Sequence, residues 1–320
     1  MGLKMSWPHR LFAGQFTDFE LKLLRVFRVV VDCGGFSAAE AEIGLTKSAI
    51  SKHVSDLEIR LGVRLCERGR SGFALTEEGK VVYEAISQLL VSLEEFRSRI
   101  NAFHSELIGE FYIGFIDSLV TDEATPLREI LSDYSKANPA IRLNMMVGSE
   151  SEIDRAVEER RLHIGVSVAD ESSVRALTTP ISVETSYLYC GAGHEAFAVA
   201  DSELKDEALS KYALVQHGYS AAENRMIARL GLRSAATSHQ TEGILFLVLA
   251  GTHIGFLPAH YAKGWEVRGL VRPIRRQEIM KRTRIAVKAN RSSLANPMVR
   301  SFLSVVKARL KKESLPPASG

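Results

Sequence analysis

The chain is poor in cysteine. Its 320 residues include three, Cys33, Cys66 and Cys190, which are odd in number and far apart. That excludes a disulfide framework or a zinc knuckle and leads us to expect reduced thiols and a cytoplasmic setting. No apolar run reaches the roughly 18 residues that a spanning helix requires. The leader MGLKMSWPHRLFAGQFTDFE lacks the continuous apolar stretch of a secretory signal. Neither membrane contact nor export is expected. Enzyme signatures are missing too: the sequence has no G-x-S-x-G, P-loop, G-x-G-x-x-G or C-x-x-C. His194-Glu195 opens like a zinc-protease motif, but Ala198 stands where the second histidine is needed. His217, His239, His253 and His260 share no firm ligand spacing. No catalytic residue, metal or cofactor is assigned.

What is present is a globular mixture, 46% hydrophobic and 25% charged, which excludes global disorder. The length favours two or three domains. The net charge of +3 hides an asymmetry. Residues 105–261 carry 12 basic against 22 acidic side chains, and residues 262–320 carry 15 against 3. The basic fifth reads either as an attractor of anions or as a face complementary to the acidic middle. The second reading is favoured, because its charges interleave with apolar residues.

Thr17 and Glu20 fit a capping box, and Leu21, Leu24, Phe27, Val30 and Val31 make one helical face that ends at Gly34-Gly35. Ser37 can cap a second, short helix ending at Gly44. Thr46 can cap a third, from Lys47 to about Leu61, with Ala49, Ile50, Val54, Leu57 and Leu61 buried. Two helices joined by a short glycine-containing turn form a helix-turn-helix. A helix that reads the major groove needs short polar and basic side chains near its start, which Lys47, Ser48, Ser51, Lys52 and His53 supply. Next comes a hairpin with Arg68 and Arg70 at its tip, suited to phosphates or a narrow minor groove. Thr76 can cap a long helix in which Val82, Ile86, Leu89, Leu93, Phe96, Ile100 and Phe103 recur at spacings of 4 and 3. That pattern reads as a coiled-coil seam or as one helix packed on its own domain.

The run FSAAEAEIGLTKSAISKHVSDLEIRLGVRLCERGRSGFALTEEG resembles the winged helix-turn-helix of LysR-type transcriptional regulators. The likeness covers residues 21–80, including AIS at 49–51, DLE-x-x-LG at 56–62 and L-T-x-x-G at 75–79. Glu40 replaces a usual alanine, Lys47 a usual glutamine and Ser48 a usual proline. The resemblance implies that the linker helix pairs protomers into a homodimer or homotetramer on double-stranded operator DNA, with RNA polymerase as a further partner.

From Glu110 strands alternate with helices, which predicts βαβ units and a parallel sheet. Strands are expected at Phe111–Ile116, Ile141–Val147, His163–Val168, Tyr187–Cys190, Leu214–Gln216, Ile254–Leu257, Leu270–Pro273 and Thr283–Val287. Helices are expected at 125–138, after Ser149, at Glu242–Leu249 and at Pro297–Leu310. The segment AGTHIGFLP at 250–258 and the opening from Gly109 to Pro139 resemble the LysR-type effector-binding domain. His163 and His253 depart from its pattern. The resemblance implies two α/β lobes of periplasmic-binding-protein type.

The expected architecture is therefore α/β with an α-rich N-terminal winged domain. Residues 18–75 bind DNA, 76–107 form the linker helix, and 108–310 bind an effector. Lobe I is 108–168 plus 272–310, lobe II is 169–271, and two crossing segments form the hinge. In such open sheets, ligands bind beyond the carboxyl ends of strands, near helix N-termini. That rule selects Asp117, Ser118, Ser149, Ser167, Gln216, His217 and Thr241. Counting Ser37 and Thr46 with the DNA-facing set, the expected function is operator binding modulated by a small polar metabolite. The alternatives are a solute-binding protein or an enzyme with an appended DNA-binding domain.

Overall fold

The computed structural model describes residues 17–69, 72–101, 107–169, 176–218 and 221–313. Two compact units meet in sequence between Glu94 and Glu95. The first is built from α1 (Asp18–Asp32), α2 (Phe36–Ile43), α3 (Lys47–Leu61), the hairpin β1 (Cys66–Gly69) and β2 (Gly72–Leu75), and the first part of α4 (Glu77–Asn101). Thr17 N donates to Glu20 Oε2 at 2.9 Å, as a capping box requires. Hydrogen bonds from the Thr17 hydroxyl, chiefly, and from its amide hold the Glu20 carboxyl well below its ordinary pKa. Gly44 and Gly62 close α2 and α3 in the left-handed conformation that favours glycine. Leu23, Phe27, Val30, Ile50, Val54 and Leu57 form the core of this unit. Glu58 is buried, and its Oε1 accepts from Leu65 N at 2.9 Å and Cys66 N at 3.4 Å. One carboxylate thus fastens α3 to the start of the wing.

The seam expected along α4 divides in two. Val82, Ile86, Leu89 and Leu93 pack with Leu90 against the core of the winged unit itself. Phe96 and Ile100 remain exposed, at 64% and 46%, and Phe103 lies outside the described residues. The early part of α4 is therefore a fourth packing helix of the winged unit.

The second unit holds β3 (Gly109–Ile116), α5 (Leu127–Ala137), β4 (Ile141–Gly148), α6 (Glu150–Glu158), β5 (Ile164–Val168) and β6 (Ala176–Gly191). It continues with α7 (Asp206–Leu209), β7 (Ala213–His217), α8 (Ala221–Leu230), β8 (Arg233–Ser238), α9 (Thr241–Leu249), β9 (Ile254–Pro258) and α10 (Ala259–Val267). It ends with β10 (Val271–Pro273), β11 (Met280–Asn290) and α11 (Pro297–Glu313). Nine strands form a single sheet in the order β4-β3-β5-β11-β6-β9-β7-β8, with β10 on β6. The expected parallel sheet is in fact mixed. β4, β3 and β5 are parallel, as are β8, β7 and β9. The crossing strands β6 and β11 are antiparallel to each other and to β9 and β5 respectively.

The unit has two lobes with separate cores. The first gathers Phe111, Ile113, Ile130, Tyr134, Val299 and Phe302 under α5 and α11. The second contains Leu188, Leu209, Leu214 and Phe256, beside a cluster of Tyr189, Val215, Ile244 and Val248. Tyr187–Cys190, expected as a short strand, is the end of the sixteen-residue β6. Pro180 hides its continuity: the register of β6 against β11 slips between Ile285 and Ala286, where proline is tolerated.

The basic C-terminal fifth folds onto the acidic middle. Arg272 pairs with Asp201 at 2.7 Å, Arg275 with Asp206 at 2.5 Å, Lys288 with Asp154 at 2.7 Å and Arg309 with Asp133 at 2.5 Å. Among the described residues, no helix is long and apolar enough to cross a membrane.

Replacing Glu58 with alanine leaves two backbone amides at the wing without their buried acceptor. A loss of about 1–3 kcal/mol of stability is expected, with Glu58→Gln retaining most of it. Chemical denaturation of the three proteins would settle the point: equal midpoints for wild type and Glu58→Ala would show that the carboxylate does not hold the wing.

Candidate functional site

The first candidate surface is the start of α3. Thr46 caps this helix, accepting from Ala49 N at 3.3 Å, and its hydroxyl lies 3.1 Å from Ser48 Oγ. Lys47, Ser48 and Lys52 are exposed and Ser51 is half-buried. Glu40 explains its own departure from the family pattern: reaching from α2, its Oε1 accepts the Lys47 amide and so ties the two helices of the motif.

Two expectations change here. Ser37 does not cap α2, because Gly35 is the capping residue and Ser37 is already helical and exposed. His53 is not freely presented. Its ring stands edge-on to Phe19, with centroids 6.5 Å apart, and Nδ1 is buried without a partner among the described residues. Its helical position turns it toward α1, where Arg60 also covers the Phe19 ring, at 5.2 Å. In the wing, the Arg68 backbone pairs with Phe73, while Arg70 lies outside the described residues.

The second candidate is a cleft of about 450 Å³ between the lobes. Asp117, Ser118, Ser149, His217 and Thr241 line it, as the strand-end rule expects. Asp117 follows β3, and Ser118 adopts a left-handed φ of 68°, uncommon without glycine, which turns the chain sharply. Ser149 caps α6 in a capping box with Glu152, whose carboxyl is held below its ordinary range mainly by the Ser149 hydroxyl. The N-termini of α6 and α9 therefore both open onto the cleft.

Ser167 and Gln216 do not line it. Strand alternation turns Ser167 inward, where it is fully buried and donates to Asp154 Oδ1 at 2.6 Å. Asp154 also receives the buried Lys288 ammonium. Gln216 donates instead to Asn224 on α8.

The sequence reading missed most of the lining. Glu184 and Ser186 come from β6, and Lys281, Arg282, Thr283 and Arg284 from β11. Glu223 is fully buried, accepting from His217 N at 2.7 Å and Lys281 Nζ at 3.1 Å. His260 bridges further: Nε2 lies 3.1 Å from Glu184 Oε2 and Nδ1 lies 2.8 Å from Thr121 Oγ1. The alternation of Lys281 and Thr283 before the apolar run from Ile285 was the available signal for the extent of β11. Four acidic and four basic side chains line the cleft, which suits a small ligand carrying both signs better than an apolar one.

Other histidines serve the fold. His163 is buried between Phe111 and Tyr112, and burial pushes its pKa down to about 4. His194 caps a short turn, accepting from Ala196 N at 3.1 Å. Among the described residues, no cluster of histidine, cysteine and carboxylate side chains is fit to hold a metal ion.

Comparison with known proteins joins the two candidate surfaces in one regulator. Residues 21–80 match the bacterial regulatory helix-turn-helix proteins of the lysR family, and residues 104–311 match the LysR substrate-binding domain. The chain is 39% identical over 296 residues to the HTH-type transcriptional activator BauR of Pseudomonas aeruginosa, covering 92% of this chain and 96% of that one. Full-length CbnR, solved in complex with its target DNA, superposes with a TM-score of 0.61 at 18% identity, covering 91% of this chain and 99% of CbnR. A full-length OxyR variant from Pseudomonas aeruginosa gives 0.58 at 17% identity, covering 92% and 95%. These solved structures carry the fold; the family matches and the BauR relative carry the assignment. The chain belongs to the LysR family and is a DNA-binding transcriptional regulator, not an enzyme.

Proposed function

We propose that this regulator binds an operator through the start of α3 and the wing, and that a small polar metabolite in the interlobe cleft sets its output. The observation that carries the reading is the conjunction, in one chain, of exposed Lys47, Ser48 and Lys52 at a helix start with a cleft lined by both signs of charge. The winged domain is residues 18–75, the linker helix 76–107 and the effector domain 108–310, with lobes divided as the sequence indicates. Ser51 and Lys47 read bases, Lys52, Arg68 and Arg70 meet phosphates, and Thr46 fixes the helix start. Among the cleft residues, Asp117, Ser118, Ser149, His217 and Thr241 contact the effector. A ligand with both an acid and an amine or hydroxyl donor fits these groups.

The working form is a homodimer or homotetramer in the cytoplasm. Its exposed seam is the Phe96–Ile100 part of α4. BauR is described as an activator, and activation through contact with RNA polymerase is the output we assign to this chain.

The decisive experiment is a footprint on the DNA upstream of the neighbouring genes. The triple variant Lys47→Ala, Ser51→Ala, Lys52→Ala should lose protection, each lost base contact costing about 1–3 kcal/mol. A normal footprint from that variant would end the reading. For the wing, Arg68→Ala and Arg70→Ala should each reduce the slope of log affinity against log salt by about 1; a slope equal to wild type would remove the hairpin from the interface. Self-association has its own test. Phe96 is exposed within the protomer, so Phe96→Glu should fold normally yet sediment as a smaller species. A wild-type monomer at micromolar concentration would refute the paired form.

A further inference from the structure

Thr241 opens α9, and the residue before it, Gln240, provides no side-chain cap. The cap comes from the other lobe. Thr241 N donates to Asp117 Oδ2 at 2.6 Å, and Thr241 Oγ1 donates to Oδ1 at 3.2 Å. A carboxylate at a helix N-terminus satisfies an orphan amide and the positive end of the helix dipole. A second tie lies just beyond: Thr121 Oγ1 is 2.8 Å from His260 Nδ1 on α10. Residues 117–121 of the first lobe are thus held at both ends by the second. In the same cleft, Ser186 of β6 is buried, at 2% exposure.

We propose that Asp117 is a built-in occupant of the effector's acid position, and that a ligand bearing both an ammonium and a carboxylate exchanges with it. The ligand's ammonium draws the Asp117 carboxylate away from Thr241, and the ligand's carboxylate takes its place on the N-terminus of α9. The proposal rests on the reading of the cleft as the effector site and names the ligand class and the switch. Charge decides the class. At the N-terminus of α9, a monocarboxylate would place a second negative charge beside Asp117, whose carboxylate already holds Thr241; the four basic and four acidic side chains of the cleft balance overall, so this local repulsion decides. A monoamine would draw Asp117 off and leave α9 uncapped. A ligand with both groups leaves neither charge nor amide unpaired. The exchange replaces a direct bond between the lobes with one that runs through the ligand, so occupancy changes how the lobes are tied.

The test uses the full-length chain. In the ligand-free protein, the amides of Thr241 to Gly243 should exchange with solvent about tenfold faster in Asp117→Ala than in wild type, with the later turns of α9 unchanged. Asp117→Asn, which keeps an acceptor but not the charge, should fall between. Melting temperatures are then measured with short straight-chain amino acids and with the matching monocarboxylates and monoamines. Wild type should be raised by amino acids only, and Asp117→Asn should respond to the monocarboxylates as well. Unchanged exchange in both variants overturns the latch. A wild type that answers equally to monocarboxylates and amino acids overturns the swap. Faster exchange in Asp117→Ala, with no probe shifting either protein, leaves the latch standing and overturns the effector reading beneath the swap.

Discussion

The antiparallel ladder between β6 and β11 is the constraint on which the effector-binding unit depends. Eleven residues of β11, Met280 to Asn290, pair with β6 from Tyr187 back to Ala176. One end of this ribbon is sheathed by β5 of the first lobe and the other by β9 of the second. Two hydrophobic cores that share no buried residue are thereby mounted on one continuous hydrogen-bonded sheet. A two-strand connection fixes the distance between lobes while leaving twist as a soft motion, because a ribbon resists stretching through its ladder but bends at a bulge. The bulge next to Pro180 sits within it. The cleft floor is made from the same ribbon: Glu184 and Ser186 on one strand, Lys281 and Thr283 on the other.

This mounting explains why the cleft was only partly legible. Residues at the ends of regular β–α units announce themselves, since a strand run, a polar residue and a helix cap follow in order. Asp117, Ser118 and Ser149 were found that way. The crossing strands have no such grammar. ALTTPISVETSYLYCG contains a proline and a run of small polar residues, and its strand character comes from neighbours far away in sequence. Ser167 and Gln216 failed for another reason: the strand-end rule gives position along a strand but not the face, and a one-residue alternation turns a hydroxyl from the cleft into the core. The linker helix shows the corresponding limit for helices. A 3–4 stripe names an apolar face, but Val82 to Leu93 could not reveal from spacing alone that their cover is the winged unit itself.

Charge was legible in bulk and not in detail. The basic C-terminal fifth and acidic middle do meet, through Arg272, Arg275, Lys288 and Arg309, so part of that positive charge is neutralised within the effector unit. Three more cations of the same fifth, Lys281, Arg282 and Arg284, stand at the cleft. Lys281 and Glu223 form a pair with the carboxylate fully buried, an arrangement that costs desolvation and stabilises little relative to an apolar pair. Such pairs are retained where orientation matters more than stability. Here Glu223 also fixes the His217 amide at the cleft wall.

The winged unit follows the same economy with a different outcome. Its fold is carried by short-range signals, the caps at Thr17, Thr46 and Thr76 and the left-handed glycines, so the sequence reads it nearly element by element. Its departures from the family pattern lie at the junction of α2 and α3. Glu40 places a carboxylate on the first amide of α3, so the helix N-terminus is already occupied by a protein acid. A backbone amide that is capped this way is not available to a phosphate, and the nearby negative charge would oppose one. Lys47, standing on that same amide, supplies the compensating cation. Glu40 and Lys47, which replace an alanine and a glutamine, thus form a pair: the first ties α2 to α3, and the second sets a cation beside its carboxylate.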